Sequence, residues 1–280
     1  QYLLFLGENE ITRMAEQIDQ HFDALLKAGG KGKKELPTEL TTAMESLLQQ
    51  GRAADLALFG RMLADRPVDN VDAAAQVAHA ISTNRIAAME IDFFTAVDDL
   101  QETNEDEGGG AGMMGTVEFN SACFYRYASI HLPELVRNLQ GDADIARRSL
   151  DAFVRASIEA VPSGKQNTFA AHNPPDLILA VVRERGQWSL ANAFVRPVQP
   201  RGEQDLVVGS ISALDRYWGK LAAGFGTDGI IATPYWSMQD EDLPNIKPGE
   251  DGVSKRKKTV DELIKAVMDA ASFNTEGNRS

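Results

Sequence analysis

The sequence holds one cysteine, Cys123, in 280 residues. An internal disulfide is therefore excluded, and a reducing compartment is expected. No apolar run reaches the roughly 18 residues that a spanning helix needs, so no membrane partner is expected. The opening residues show no signal-peptide pattern, and a cytoplasmic protein is expected. Cations are scarce: 28 Lys and Arg face 41 Asp and Glu, a net charge of −13. That balance excludes a generic nucleic-acid coat but leaves room for a local RNA groove. Histidine is scarce too. His21, His79, His131 and His172 stand at no metal-ligand spacing, so no metal and no cofactor are expected. His79 reads as a core histidine and His172 as a turn residue before Asn173-Pro174-Pro175. Walker, G-x-S-x-G and H-E-x-x-H motifs are all missing, which removes the common hydrolase signatures.

What is present is an ordinary globular composition, 43% apolar and 25% charged, long enough for a sizeable core. The apolar residues Ile11, Met14, Ile18, Phe22 and Leu25 share one helical face across 9–28. Pro37 suits a first helical turn, and a helix is expected to about Gln50. Asp55–Gly60 fits helix or strand. From about Ala74 the texture turns to strands, and AQVAHAIST and MEIDFFTAVDDL face VEFNSACFYRYASI across a Gly-rich stretch. This reads as a long β-hairpin. A helix is expected at about 143–160, with Ala146, Leu150, Phe153, Val154 and Ile158 inward. A strand is expected in DLILAVVRE (176–184). Helices are expected in SISALDRYWGKLAAGFG and after the capping box Thr259–Glu262. The order of elements is α+β, and a small antiparallel sheet with helices on one face fits a ferredoxin-like core.

Chemistry-bearing candidates are few. GAGMMG (110–115) spells G-x-G-x-x-G. An acidic run precedes it and strand-forming residues follow, the reverse of what a dinucleotide site requires. It reads instead as a loop tip displaying two methionines. Cys123 lies in an apparent strand with no adjacent base, which fits a buried thiol better than a nucleophile. Asp98 and Asp99 are adjacent and point to opposite faces of a strand, a poor pair for shared acid–base work. Segment 86–118 carries nine acidic residues and no Lys or Arg and reads as a solvated surface. Lys255-Arg256-Lys257-Lys258 reads as a solvated linker. Phe124-Tyr125-Arg126-Tyr127 mixes aromatics with a base, as base-stacking sheets do, although core packing explains it equally.

Six motifs in order carry a family resemblance: GRM (60–62), AHAIST (78–83), IDFFTAVDDLQ (91–101), GTVEFNSACFYRYASI (115–130), GKQNTFAAHNPPDL (164–177) and SLANAF (189–194). Together they resemble the CasC family, the repeated backbone subunit of the type I-E CRISPR Cascade complex. The resemblance implies an RNA-recognition-type palm within 73–280, an inserted helical domain over 1–72, and a thumb hairpin at 93–128. It implies a non-catalytic subunit that oligomerises along a CRISPR guide RNA inside a ribonucleoprotein, kinks the guide at intervals and presents its bases to target DNA. The expected partners are the guide RNA, target DNA through the guide, other copies of the chain and other Cascade subunits. By resemblance, Met114 takes the place of an apolar wedge, with Met113 as the alternative. Phe94 and Thr95 match thumb-base contacts, and Met62 matches another apolar contact with the bases. Lys165 and Gln166, with Arg61, are the candidates for holding the guide backbone. An acidic insert, ETNEDEGGG, is expected to point away from RNA. The family's first strand and basic segment are missing from this chain, which is expected to be a fragment. A second reading is a metal-dependent RNA-cleaving backbone subunit using Asp98 or Asp99.

Overall fold

The computed structural model describes residues 4–29, 38–49, 53–64, 66–85, 90–95, 114–200, 205–240, 243–246 and 256–273. The chain opens with helices α1 (Glu8–Gln20), α2 (Phe22–Gly29), α3 (Thr38–Gln49) and α4 (Ala54–Phe59). Glu8 and Glu10 stand in the first turn of α1, where acidic charge suits the helix dipole. The single helix expected over 9–28 breaks at His21. There the Gln17 carbonyl accepts the His21 backbone N–H and lies 2.9 Å from its Nδ1. The apolar face of α1 and α2 stays open: Ile11, Ile18 and Phe22 are 53%, 43% and 53% exposed. The ambiguous 55–60 stretch is the helix α4, with Leu56, Ala57 and Leu58 buried. Gly60 ends it at φ 76, which a side chain rarely adopts.

A long antiparallel ribbon follows. Its outgoing strands are β1 (Ala75–Val77), β2 (Ile81–Ser82) and β3 (Glu90–Thr95). Its returning strands are β4 (Met114–Phe119), β5 (Phe124–Tyr125) and β6 (Ala128–Ile130). They nest as β1–β6, β2–β5 and β3–β4, so the expected hairpin is present. The ladder slips on the way. Between Val77↔Ala128 and Ile81↔Tyr125, three residues of one strand face two of the other. This is a β-bulge. His79 sits in it and is exposed. That corrects the expected core histidine: neither face of the ribbon is covered there, and Gln76, Val77, Ala78 and Ala80 around it are exposed as well. Cys123 is half-buried just before β5 and donates its N–H to Asn84 Oδ1 at 3.1 Å.

Beyond the ribbon come α5 (Leu132–Asn138), α6 (Ala143–Glu159) and the single turn α7 (Gln166–Phe169), then β7 (Leu177–Leu179) and β8 (Val182–Arg183). They are followed by α8 (Leu206–Phe225), β9 (Ile230–Ala232), β10 (Tyr235–Ser237) and α9 (Val260–Ala270). β7 pairs with β10 and β8 with β9, in one shared register down to Val182↔Ala232. The expected 176–184 strand is therefore one ribbon edge cut in two. The cut falls opposite Pro234, which accepts from the Ala180 N–H at 3.0 Å but has no N–H to return. A segment of the charged stretch also joins this ribbon. Tyr235 bridges Arg256, and the Lys257 N–H donates to the Tyr235 carbonyl at 2.8 Å.

Among the described residues the strands pair two by two, with no ladder joining the two ribbons. Side chains and loops join them instead. Thr83 and Ser210 hydroxyls lie 2.8 Å apart, and the Val198 N–H donates to the Thr83 carbonyl. α6 connects the cores: Ala146 packs with Leu135, Val136 and Leu139 in one. Leu150 packs with Leu263, Ile264, Val267 and Met268 of α9 in another. Each such buried Leu, Ile, Val or Met contributes roughly 1.5–3 kcal/mol. The fold is thus mixed, with helices and small antiparallel sheets, as an α+β reading requires.

Candidate nucleic-acid interface

The outer part of the first ribbon brings three of the singled-out residues to its last described rungs. Phe94 lies opposite Gly115 and Thr95 opposite Met114. Two apolar neighbours on β3 are open to solvent, Phe93 at 71% and Ile91 at 47%. Soluble sheets seldom leave such a run uncovered without use. Met113, Asp98, Asp99 and the insert ETNEDEGGG lie outside the described residues.

The root of the same hairpin carries the expected cation. Phe119 ends β4, opposite Glu90. The Phe169 ring lies 5.4 Å from it, and Lys165 Nζ stands 5.8 Å above its centroid. At about 3.4 Å per residue, the Phe119 rung beneath Lys165 lies some 17 Å along the strand from the Met114 rung. Lys165 is held at φ 53 and Ala170 at φ 46, bracketing α7 with two left-handed residues. Gln166 Nε2 donates to the Pro162 carbonyl at 2.6 Å. Arg126 sets where this loop begins. Its guanidinium donates to the carbonyls of Ser157 and Ala160 at the end of α6, where a cation suits the helix dipole. The mixed Phe124–Tyr127 stretch thus divides its tasks: Phe124 is 59% exposed, Arg126 caps a helix, and Tyr125 packs on Phe194.

A family model described as CT1975-like protein matches residues 1–266. The chain belongs to that family, the CasC type of CRISPR backbone subunit. No curated protein matches it. Among solved structures, this CasC-type chain is similar to a chain of a "CRISPR RNA-guided surveillance complex, pre-nicking". The identity is 34% and the TM-score 0.78, covering 97% of this chain and 70% of that one. A chain of a second "CRISPR RNA-guided surveillance complex" shares 35% identity at a TM-score of 0.62, covering 78% of each.

One site residue of the CasC-type chain needs correction. Arg61, expected to hold the guide backbone, has a side chain only 1% exposed. Its Nη1 lies 3.0 Å from Glu10 Oε1, and its Nη2 donates to the Leu48 carbonyl at 2.6 Å. It ties α1 and α3 to the end of α4 and cannot reach a phosphate without breaking those bonds. Its neighbour Met62 is 80% exposed, in the loop after α4 and outside the hairpin strands. Sequence reading also passed over Arg183, whose guanidinium stacks 3.9 Å from the Trp188 ring centroid. Burial, and then Arg185, hold its pKa below the ordinary arginine value. Among the described residues no group of three His, Cys, Asp or Glu could hold a metal, and no helix is long and apolar enough to cross a membrane.

Proposed function

We propose that this chain is a non-catalytic, cytoplasmic backbone subunit that assembles with further copies and other Cascade subunits along a CRISPR guide RNA. The hairpin β3–β4 acts as a thumb on a palm formed by the two ribbons, while α1–α4 form the helical domain. The thumb separates stacked bases at intervals, and the intervening bases remain free to pair with target DNA. The observation that carries this reading is the Thr95–Met114 rung beside Phe94–Gly115, the last described rungs of the hairpin whose root carries Lys165. A wedge that accepts any guide must be apolar, polarizable and free of base-specific hydrogen bonds, and methionine meets all three needs. Sequence reading is then left to base pairing, with protein holding the backbone.

The test is the mass of the full-length chain by light scattering as single-stranded RNA of increasing length is added. Stepwise mass growth is expected, and Met114→Asp should abolish it. The RNA should stay intact with added divalent metal. Growth unchanged in both Met114→Asp and Met113→Asp would overturn the wedge, and metal-dependent cleavage would overturn the non-catalytic role.

A further inference from the structure

Away from the hairpin, a cavity of about 340 Å³ opens along the edge of β10, lined by Trp236, Ser237, Arg256, Lys257 and Lys258. Its size falls at the small end of the roughly 300–1,000 Å³ range of ligand pockets. Its construction is specific. Arg256 donates to the carbonyls of Ser237 at 3.1 Å, of Asp240 at 2.7 Å and of Gln239. Together with the Lys257–Tyr235 backbone bond, this pins the basic segment beside β10. Lys257 and Lys258 are thereby fixed next to a half-buried indole that packs on the Ile178 side of the ribbon. The acids nearest in sequence are engaged. Asp261 pairs with Arg155 at 2.9 Å, and the Glu262 carboxylate accepts the Lys258 N–H at 2.9 Å. In a chain of net charge −13, three consecutive cations thus stand beside an aromatic face, with Asp240 on the turn that Arg256 binds.

We propose that this groove is a second nucleic-acid site, taking one base of a single strand against Trp236 and the adjoining phosphates on Lys257 and Lys258. It rests on the reading of the chain as a guide-RNA-binding subunit, but it uses none of the thumb residues. An aromatic face beside cations is the chemistry by which sequence-independent single-strand sites work. The strand is the guide RNA or a strand of the target DNA, which share that chemistry.

The test uses the full-length chain assembled on guide RNA. One arm carries 4-thiouridine in the guide, and the other offers DNA strands bearing 5-iododeoxyuridine. After irradiation, adducts are mapped by mass spectrometry. An adduct on Trp236 supports the proposal and names the strand. Lys257→Glu with Lys258→Glu should flatten the slope of log affinity against log salt by about 1.4, at about 0.7 per phosphate contact on a single strand. Trp236→Ala should weaken binding about 5- to 150-fold, the span of one base–aromatic stack. Trp236→Phe, which keeps the packing, should weaken it less. No adduct in either arm, with an unchanged salt slope, overturns the proposal. So does a lysine variant that disrupts contact between copies while nucleic-acid affinity holds. If Met114→Asp still abolishes assembly in those cases, only the groove fails. If it does not, the broader reading fails with it.

Discussion

The Arg61 guanidinium and the Glu10 carboxylate meet in the protein interior, with Nη1 3.0 Å from Oε1 and 3.1 Å from Oε2. Both residues are about 95% buried, at 5% and 4% exposure. Removing one partner leaves a buried charge without its counterion. Arg61→Met or Glu10→Leu alone is expected to cost about 3–5 kcal/mol in urea denaturation, and the double substitution much less. If Arg61→Met instead kept stability and lowered RNA affinity, Arg61 would be a guide contact after all.

Gly60 sets up that pair from the next position. At φ +76, a Cβ there would stand 2.6 Å from the Val71 carbonyl oxygen and 2.9 Å from the Ala73 nitrogen. Gly60→Ala must strain the backbone and push apart the Arg61–Val71 bridge. A loss of at least about 1–3 kcal/mol is expected, read as a lowered Tm. An unchanged Tm would show that the bridge yields freely.

Tyr125 gives an alkaline signature. Burial pushes its phenol above the ordinary value of 10.0, outweighing the opposing hydrogen bond from the Leu190 N–H. A folded pKa above the unfolded one means that its stabilising contribution is complete below about pH 10. It is lost as pH rises through the folded value. Tyr125→Phe should remove that alkaline step from a stability–pH curve. It should also cost about 1–3 kcal/mol at neutral pH, because the Leu190 N–H loses its acceptor at 2.9 Å.

Lys165 and Phe119 test the root of the hairpin. Lys165→Gln is expected to reduce the salt slope of RNA binding by about 0.7. Phe119→Leu leaves that charge but removes the ring beneath it. An affinity loss of about 2- to 5-fold is expected, matching roughly 0.5–1 kcal/mol for an exposed cation–π contact. Filter binding across a salt series separates the two outcomes, and equal slopes in all three proteins would exclude Lys165 as a phosphate contact.

The elements that the sequence announces clearly are those written in local chemistry. α9 opens on the capping box read in the sequence, with Thr259 accepting from the Glu262 N–H. α6 and α8 open in the same way on Asp142 and Asp205, although the sequence pattern places α8 only from Ser210, four residues past its true start. Alternation made the long hairpin legible, and the CasC motifs led to the family. What stayed hidden depends on distant partners. Nothing local to Arg61 reveals that Glu10, 51 positions earlier, folds over it. Nothing in Lys255–Lys258 reveals that Arg256 will bind carbonyls at the end of β10 and in the turn after it. A basic run read alone is a solvated linker; set beside Trp236 it becomes a wall. The slips in the ribbon also escaped, because a bulge leaves no mark in composition.

That first slip has a bearing on how the chain can change length. Ala78, His79 and Ala80 face only Arg126 and Tyr127 across the ribbon. Losing one residue from this triplet would leave two against two, a regular ladder, so the pairing beyond it can hold. What would go is the extra bend and twist that a bulge gives a strand, and with it the direction in which the arm leaves the body of the molecule. The slip is a place where a change of one residue re-aims the arm without unpairing it.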